Sequence, residues 1–207
     1  MRFHDAWEAL PAGARHSLAQ AYRALRSGGL PVGSAVTDAA GTVVAEGRNR
    51  AYDPPGGSDP LQGTPLAHGE MNALAVVRTE WSLADHTLWS TQEPCEMCAA
   101  AARFVGVGTV RFLAPDPWAI AAGVPSSSDS RTHGPSADEW LIAANLLFLL
   151  GIGRDHMTTR GNAEPEPETV ALLDVALDGD GVTDALGPHW PRIEAAAGAR
   201  RARRPSD

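Results

Sequence analysis

The sequence predicts an α/β fold, in which helices cover a sheet, from two observations. Between residues 34 and 113, short apolar stretches typical of strands alternate with stretches of helical periodicity, in the order strand–strand–helix–strand–helix–strand. Strands that a helix connects run parallel, and the connecting helices pack on the faces of the sheet. The chain is also long enough to bury a proper core, since 43% of its 207 residues are hydrophobic and 20% are charged.

The first elements are a helical segment and a hairpin. Residues 4–27 have helical periodicity, with interruptions expected at Pro11 and Gly13. The stretches Ser34–Thr37 and Thr42–Glu46 flank a turn, and the second alternates apolar with polar residues. This pattern predicts two antiparallel strands.

The next elements carry the chemically distinctive residues. The loop from Asp53 to Pro65 is rich in Pro, Gly and Asp, and a loop of this length is often functional. The patterning then predicts a helix at His68–Arg78, a buried strand at Thr87–Thr91, a helix at Cys95–Phe104 and a strand at Thr109–Leu113.

The segment after Pro117 has weaker signals. Its most regular feature is an apolar helix at Asp138–Leu150, which is too short to cross a membrane. Around this helix the sequence predicts a polar loop at Ser126–Pro135, a linker at Gly161–Pro167, a short helix at Glu168–Leu177 and a loop at Gly179–Pro191.

Charge and composition exclude several classes of partner. The net charge is −8, and residues 192–207 carry five Arg against Glu194 and Asp207, so this local +3 leaves −11 on residues 1–191. The chain contains no lysine, and so acidic a body binds phosphate backbones poorly; we therefore expect no nucleic-acid partner. No run of 18 apolar residues and no leader-like N-terminus is present, so we expect a cytoplasmic protein without a membrane partner.

Two short motifs carry the chemistry: His68-Gly69-Glu70 and Pro94-Cys95-Glu96-Met97-Cys98, with 26 residues between His68 and Cys95. Zinc binds imidazole nitrogen and thiolate sulfur, and a catalytic zinc site has three protein ligands and one position for water. His68, Cys95 and Cys98 supply such a set. Glu70 then remains beside the metal as a carrier of protons. Both motifs open predicted helices, whose N-terminal ends stabilise negative charge.

Two other interpretations of the cysteines stay open. A C-x-x-C pair also serves redox proteins, although those lack an H-x-E motif at this distance. A closed structural zinc site would need a fourth protein ligand, and the chain has no third cysteine. We therefore expect one catalytic zinc ion per chain.

From about residue 15 to 117 the sequence resembles the cytidine deaminase-like superfamily, whose zinc-dependent members share the H-x-E and P-C-x-x-C pair. Leu30-Pro31-Val32-Gly33 and Glu46-Gly47-Arg48-Asn49 extend the resemblance. The branch that contains tRNA adenosine deaminases, guanine deaminases and fungal-type cytosine deaminases is the most similar. The resemblance implies a three-layer α/β/α sandwich around a mixed sheet of about five strands, commonly a homodimer. The fifth strand is not recognisable after Pro117.

The resemblance also divides the chain. It implies that residues 1–150 form a zinc-dependent deaminase domain. We interpret residues 151–191 as a C-terminal helical extension. Because four Arg residues crowd its last part, we interpret residues 192–207 as a disordered Arg-rich tail.

The same resemblance implies roles for particular residues. The reaction would be the hydrolytic removal of an exocyclic amine as ammonia, in which Glu70 passes a proton from water to the ring nitrogen. Cys95 would take part in catalysis through its backbone N–H as well as binding the metal. The implied substrate contacts are Asn49, Ala67 and Trp118. An asparagine in a turn is also common for backbone reasons alone, and Trp118 fits a core position equally well.

The expected substrate is a small molecule: a free nucleobase, a nucleoside or a related heterocycle. A tRNA adenosine deaminase is the first alternative, against which the acidic, lysine-free body argues. A non-catalytic zinc-binding scaffold of the same fold is the second alternative. The intact Glu70 argues against it, because a scaffold has no need of an acid/base.

Overall fold

The computed structural model describes residues 1–56, 59–115, 132–134, 137–152 and 166–203. The helices are α1 (Phe3–Ala9), α2 (Ala12–Arg26), α3 (Gly69–Leu74), α4 (Glu96–Phe104), α5 (Asp138–Ile152), α6 (Pro167–Val170), α7 (Val182–Leu186) and α8 (Trp190–Arg203), with a 3₁₀ turn at Gly187–His189. The strands are β1 (Gly33–Thr37), β2 (Val43–Arg48), β3 (Thr87–Gln92), β4 (Thr109–Ala114) and β5 (Thr132–His133). In this part of the chain no helix is long and apolar enough to span a bilayer.

The five strands form one mixed sheet in the order β2-β1-β3-β4-β5. β1 is antiparallel to both β2 and β3, whereas β3, β4 and β5 run parallel. The mixed five-stranded sheet is therefore confirmed. Its fifth strand lies within the predicted polar loop at Ser126–Pro135, so that prediction is wrong at Thr132–His133. Two residues that pair with Val110 and Arg111 are too few to show an alternating pattern.

Helices cover the two faces of the sheet, which confirms the three-layer arrangement. On one face, α2 packs on β1, β2 and β3, and α5 packs on β3 and β4. On the other face, α3 packs on β1 and β2 and touches α4. Each face has its own buried apolar cluster; the α2–α5 cluster is the larger and includes residues of α1, α7 and α8.

A glycine brings the first motif onto the sheet. A Cβ atom at Gly47, in β2, would lie 2.3 Å from both the backbone nitrogen of Ala73 and the carbonyl oxygen of Gly69. Only glycine therefore lets the backbone of α3 lie directly against β2. α3 ends at Leu74, before the predicted Arg78. The β-branched pair Val76-Val77 favours helix less than the residues before it.

The N-terminal helical segment is interrupted at one place rather than two. Leu10 and Pro11 separate α1 from α2, as the proline predicts. Gly13 lies inside α2, where a Cβ would come within 2.1 Å of the Trp89 ring. The prediction of an interruption at Gly13 is wrong, because this glycine serves a close helix–sheet contact.

The C-terminal segment is more ordered than expected. The predicted loop at Gly179–Pro191 contains α7 and the 3₁₀ turn, and the expectation of a disordered tail at 192–207 is wrong for residues 192–203. Ile193 and Ala197 are fully buried on α8, and Arg200 is 6% exposed. The Arg200 guanidinium binds Asp138 and Glu166. Residues 204–207 lie outside the described residues.

Candidate functional site

The two motifs meet at the N-terminal ends of α3 and α4. His68 is the residue that precedes α3, and Cys95 is the residue that precedes α4; both have extended backbone angles. Cys98 lies in the first turn of α4, in which the Ala99 N–H donates to the Cys95 carbonyl at 2.9 Å. α3 follows β2 and α4 follows β3 along the chain, and these two strands run in the same direction because β1 is antiparallel to both. The starts of both helices therefore lie at the same end of the sheet.

Three ligand atoms form a nearly equilateral triangle. The distances from His68 Nδ1 to Cys95 Sγ and to Cys98 Sγ are 3.6 Å each, and the two sulfurs are also 3.6 Å apart. A tetrahedral zinc ion with bonds of about 2.3 Å to sulfur and about 2.05 Å to nitrogen would hold its ligands roughly 3.6–3.8 Å apart. The residues therefore fit such an ion. Among the described residues, no other three His, Cys, Asp or Glu side chains form a cluster that could hold a metal.

The two cysteines differ in proton affinity. The hydrogen bond with Cys98 is the largest of the influences that together lower the pKa of Cys95 to about 4; burial opposes it, and the imidazole of His68 lowers the pKa further. The same hydrogen bond raises the pKa of Cys98. A thiolate is the form of cysteine that binds metals. A disulfide is not formed between the two cysteines.

Glu70 lies beside the triangle and is almost fully buried, with 3% of its surface exposed. Its Oε1 accepts a hydrogen bond of 2.8 Å from the Ser90 hydroxyl. Its Oε2 accepts from the Cys98 thiol at 3.5 Å. Burial raises the pKa of Glu70, because the charged form loses its solvation, and the Ser90 hydrogen bond opposes this shift in part. A carboxyl group in such a place can hold a proton more readily than one in water.

A cavity of about 350 Å³ opens onto these groups. This volume lies within the range of about 300–1,000 Å³ that is usual for small-molecule sites. Its wall includes three residues of the two motifs, His68, Glu70 and Cys95. The remaining wall residues are Leu30, Val32, Asn49, Ala51, Tyr52, Pro65, Gln92, Glu93 and Phe148.

The structure treats the three expected substrate contacts differently. Asn49 lies in the cavity wall, 1% exposed, and its Oδ1 accepts from the Ala51 N–H at 3.0 Å. Ala67 is fully buried, and the cavity wall does not include it. Its carbonyl accepts hydrogen bonds from the Arg50 N–H and the Asn72 amide. A substrate contact for Ala67 stays a prediction. Trp118 lies outside the described residues.

Sequence reasoning missed Tyr52, Gln92 and Phe148, which all line the cavity. Tyr52 lies immediately before the loop Asp53–Pro65 that was expected to be functional, and it is 67% exposed. Phe148 lies in α5, whose apolar sequence predicts only core packing. Gln92 ends β3 just before the second motif, and its position there was the only signal of a site residue.

Ion pairs brace the loop that carries Asn49 and Tyr52. The Arg48 guanidinium donates to both oxygens of Asp53, at 2.9 and 2.6 Å. Arg50 donates to Asp53 at 3.4 Å and also binds Asp59. The Arg48 hydrogen bond holds the pKa of Asp53 below its usual value. One carboxylate thus ties together the two residues on either side of Asn49.

Comparisons with known proteins place this site in a family. The family model described as the cytidine and deoxycytidylate deaminase zinc-binding region matches residues 11–114, just over half of the chain. The tRNA-specific adenosine deaminase of Haemophilus influenzae is 33% identical over 105 residues, which cover 49% of this chain and 56% of that protein. The cytosine deaminase of Candida albicans is 29% identical over 120 residues, which cover 54% of this chain and 75% of that protein.

Other similarities are more limited in length or in identity. The tRNA(Ile)-lysidine synthase of Deinococcus radiodurans is 35% identical over 123 residues, but the chain spans only 20% of that protein's length. A guanine deaminase structure from Nitrosomonas europaea covers 67% of this chain and 82% of its own, with a TM-score of 0.50 and 21% identity, which shows the shared fold. From its fold and from residues 11–114, this chain belongs to the cytidine and deoxycytidylate deaminase family.

Proposed function

We propose that the protein is a zinc-dependent enzyme that removes an exocyclic amine from a free nucleobase, a nucleoside or a related small heterocycle and releases it as ammonia. The observation that carries the proposal is the 3.6 Å triangle of His68, Cys95 and Cys98, with the buried Glu70 carboxyl next to it. We propose these three side chains as the ligands of one zinc ion per chain and Glu70 as the acid/base. The family membership supports both assignments.

The residues divide the work of such a hydrolysis among them. A zinc ion in a three-ligand site supplies a water whose pKa is lowered to about 7. The Glu70 carboxylate takes a proton from water and delivers it to the heterocycle, and the raised pKa that burial gives it suits both steps. Ser90 holds the carboxyl group in place. Asn49 orients the substrate through an amide that can donate and accept.

Metal content and ammonia release test the proposal. We expect metal analysis to find about one zinc per chain, and Cys95→Ser to lose it. Met97→Leu is the control, because Met97 lies between the two cysteines and offers no ligand atom in this site. The zinc-loaded chain should release ammonia from at least one of cytosine, cytidine, adenine, adenosine, guanine or guanosine.

The Glu70→Gln variant separates an enzyme from a scaffold. It should keep its zinc but lose activity by about 100-fold or more, because a positioned acid/base contributes about 10²–10⁴. A chain that binds zinc but releases ammonia from none of the substrates would favour the scaffold. A chain that folds and binds no zinc would remove the basis of the proposal.

A tRNA adenosine deaminase is the second candidate, favoured by the 33% identity to the H. influenzae enzyme. The charge argues against it: residues 1–191 carry −11. The described arginines of α8 are also engaged, since Arg192, Arg200, Arg201 and Arg203 all bind carboxylates. Deamination of a tRNA transcript, with no turnover of small substrates, would reverse the ranking of the two candidates. The homodimer and the cytoplasmic location stay predictions.

A further inference from the structure

A buried amide in the cavity wall has an uncommitted oxygen. Gln92 is 4% exposed and ends β3, three residues before Cys95. Its Nε2 lies 3.4 Å from Oδ1 of Asn145, at the long end for a hydrogen bond. Its Oε1 is buried and has no hydrogen-bond partner among the residues that the structure describes. The amide therefore has a hydrogen-bond acceptor left to offer at the cavity.

Asn145, the hydrogen-bond partner of Gln92, is a polar residue within an apolar buried helix. Asn145 is the only polar residue between Trp140 and Leu149, the ten consecutive buried residues of α5. Burying an amide without full hydrogen bonding is unfavourable, and such groups in native proteins call for an explanation. A leucine at either position would avoid this cost. The pair is explained if it serves a ligand in the adjoining cavity.

We propose that Gln92, held by Asn145, accepts a hydrogen bond from a ring N–H of the substrate and thereby selects free nucleobases. The proposal rests on the proposed deaminase function and narrows its substrate class. Gln92 lines the same cavity as Glu70 and Cys95, where the reacting amine would lie. The ring N–H is therefore a second contact, made at another edge of the same heterocycle.

The chemistry of the ring decides which substrates satisfy such an acceptor. Cytosine carries N1–H, and adenine and guanine carry N9–H, at the atom to which a nucleoside attaches its sugar. Cytidine and adenosine have no ring N–H, and guanosine keeps N1–H but has lost N9–H. The contact that distinguishes free bases is therefore the one at the nitrogen that carries the sugar in a nucleoside. Gln92 is a wall residue of the cavity, and the last torsion of its side chain is a soft rotation that can present Oε1 to a ligand.

Binding to a chain that does not turn over tests the proposal without relying on activity. The zinc-loaded full chain with Glu70→Gln is titrated by calorimetry with three pairs of probes. They are cytosine and 1-methylcytosine, adenine and 9-methyladenine, and guanine and 9-methylguanine. We expect at least one free base to bind about tenfold more tightly than its methylated partner, the size of one good hydrogen bond.

Changes at Gln92 then show whether this preference comes from its oxygen. Gln92→Leu should bring the ratio of the two affinities close to one, whereas Gln92→Glu, which keeps an acceptor, should preserve it. Asn145→Leu, which removes the anchor, should reduce the ratio and serves if Gln92→Leu fails to fold. Gln20→Leu is the matched control, because Gln20 is a 7% exposed glutamine that binds Glu46 on the far side of β2 from α3. It should leave the ratio unchanged.

The outcomes separate this inference from the function on which it rests. An unchanged ratio in Gln92→Leu, loss of the ratio in Gln92→Glu, or no binding of any probe overturns the role of Gln92. Ammonia release by the wild-type chain together with an unchanged ratio overturns that role alone. A ratio that depends on Gln92, with no ammonia released by the wild-type chain, supports the role of Gln92 and overturns the deaminase.

Discussion

Opposing influences act on the proton affinity of Glu70. Burial raises its pKa, whereas a hydrogen bond from its own backbone and the hydrogen bond of 2.8 Å from Ser90 lower it, because these bonds stabilise the ionised carboxylate. Ser90 is itself fully buried, and Ser34 Oγ lies 3.3 Å from its hydroxyl. Two serines of the sheet, Ser90 directly and Ser34 through Ser90, therefore influence the pKa of Glu70.

Ser90→Ala should shift the pH dependence of the reaction. Without the hydroxyl, the pKa of Glu70 rises further, and the ionised form that accepts a proton is populated only at higher pH. We expect the acid limb of kcat/KM to move to higher pH in the zinc-loaded enzyme, measured as ammonia release against pH. Ser34→Ala, which leaves the Ser90–Glu70 bond in place, should shift it less. An acid limb that stays fixed or moves to lower pH contradicts this role of Ser90.

Asp53 stabilises the loop beside Asn49. Its carboxylate is 9% exposed and binds both Arg48 and Arg50. We expect Asp53→Asn to lower the free energy of unfolding by about 1–2 kcal/mol in urea titrations at neutral pH. Asp174→Asn, which removes an exposed pair with Arg192, should have little effect and is the matched control.

The pH dependence of this difference has a definite sign. The pKa of Asp53 is lowered in the folded protein, so its contribution is complete above the ordinary pKa of a carboxyl group. It is lost as the pH falls through the lowered folded-state value. Wild type and Asp53→Asn should therefore converge in acid; a difference that grows in acid would contradict the ion-pair explanation.

The cluster of His68, Cys95 and Cys98 could be predicted because its two sequence motifs are local. His68 with Glu70, and Cys95 with Cys98, each fall within one turn of chain, and spacing alone places them together. Gln92 and Phe148 could not be predicted in the same way. They become wall residues only because α5 crosses the end of β3, a contact between segments about fifty residues apart.

At the scale of elements, glycines fix the distances between layers. Gly13 lets α2 reach Trp89 of β3, and Gly47 lets α3 reach β2. Glycine is a poor helix former, so its presence within α2 costs about 1 kcal/mol of helix propensity relative to alanine. The close contact with Trp89 outweighs that cost.

Gly13→Ala should destabilise the protein despite the better helix propensity of alanine. The added methyl group would lie 2.1 Å from the Trp89 ring, and overpacking typically costs about 1–3 kcal/mol. Gly198→Ala is the matched control in α8, where a Cβ meets nothing within 4 Å. It should stabilise by about 0.5–1 kcal/mol. Thermal or urea unfolding of the two variants should show changes of opposite sign; two changes of the same sign would contradict the packing argument.

Strands and helices with strong periodicity were predictable, whereas those that depend on contacts with residues distant in sequence were not. The four strands between residues 33 and 114 appear near their predicted positions. β5 exists only because β4 offers it an edge to pair with. In α8 the arginines suggested exposure, but Arg200 finds carboxylates 62 and 34 residues away in sequence, which no local pattern reveals.

At the scale of the whole molecule, one buried arginine fastens the C-terminal helix to the rest of the core. Arg200 binds Asp138, at the start of α5, and Glu166, before α6. Its side chain is 7% exposed. α5 also contributes Phe148 to the cavity wall, so the ion pairs of Arg200 anchor a helix that borders the candidate site.

Arg200→Leu should be strongly destabilising. Removing one partner of a buried ion pair leaves carboxylates without compensation, at a cost of about 3–5 kcal/mol. Arg201→Leu is the control, since Arg201 is half exposed and should change the unfolding midpoint little. Equal unfolding midpoints for the two variants would show that the stability of the protein does not depend on the burial of the Arg200 ion pairs. Zinc content measured below the midpoint should be retained in both.

The aromatic cluster of Phe3, Trp7, Trp140 and Trp190 joins the first helix to the last, with Trp140 and Trp190 ring centroids 4.7 Å apart. During synthesis the proposed metal ligands, His68, Cys95 and Cys98, all leave the ribosome long before Trp190. A nascent chain can therefore bring these three residues together before α8 is available to pack against the apolar faces of α1 and α5. The layer on the face of the sheet away from α3 and α4 can be completed only once the C-terminal helix is available. Until then this face exposes apolar surface, which makes the nascent chain prone to aggregation.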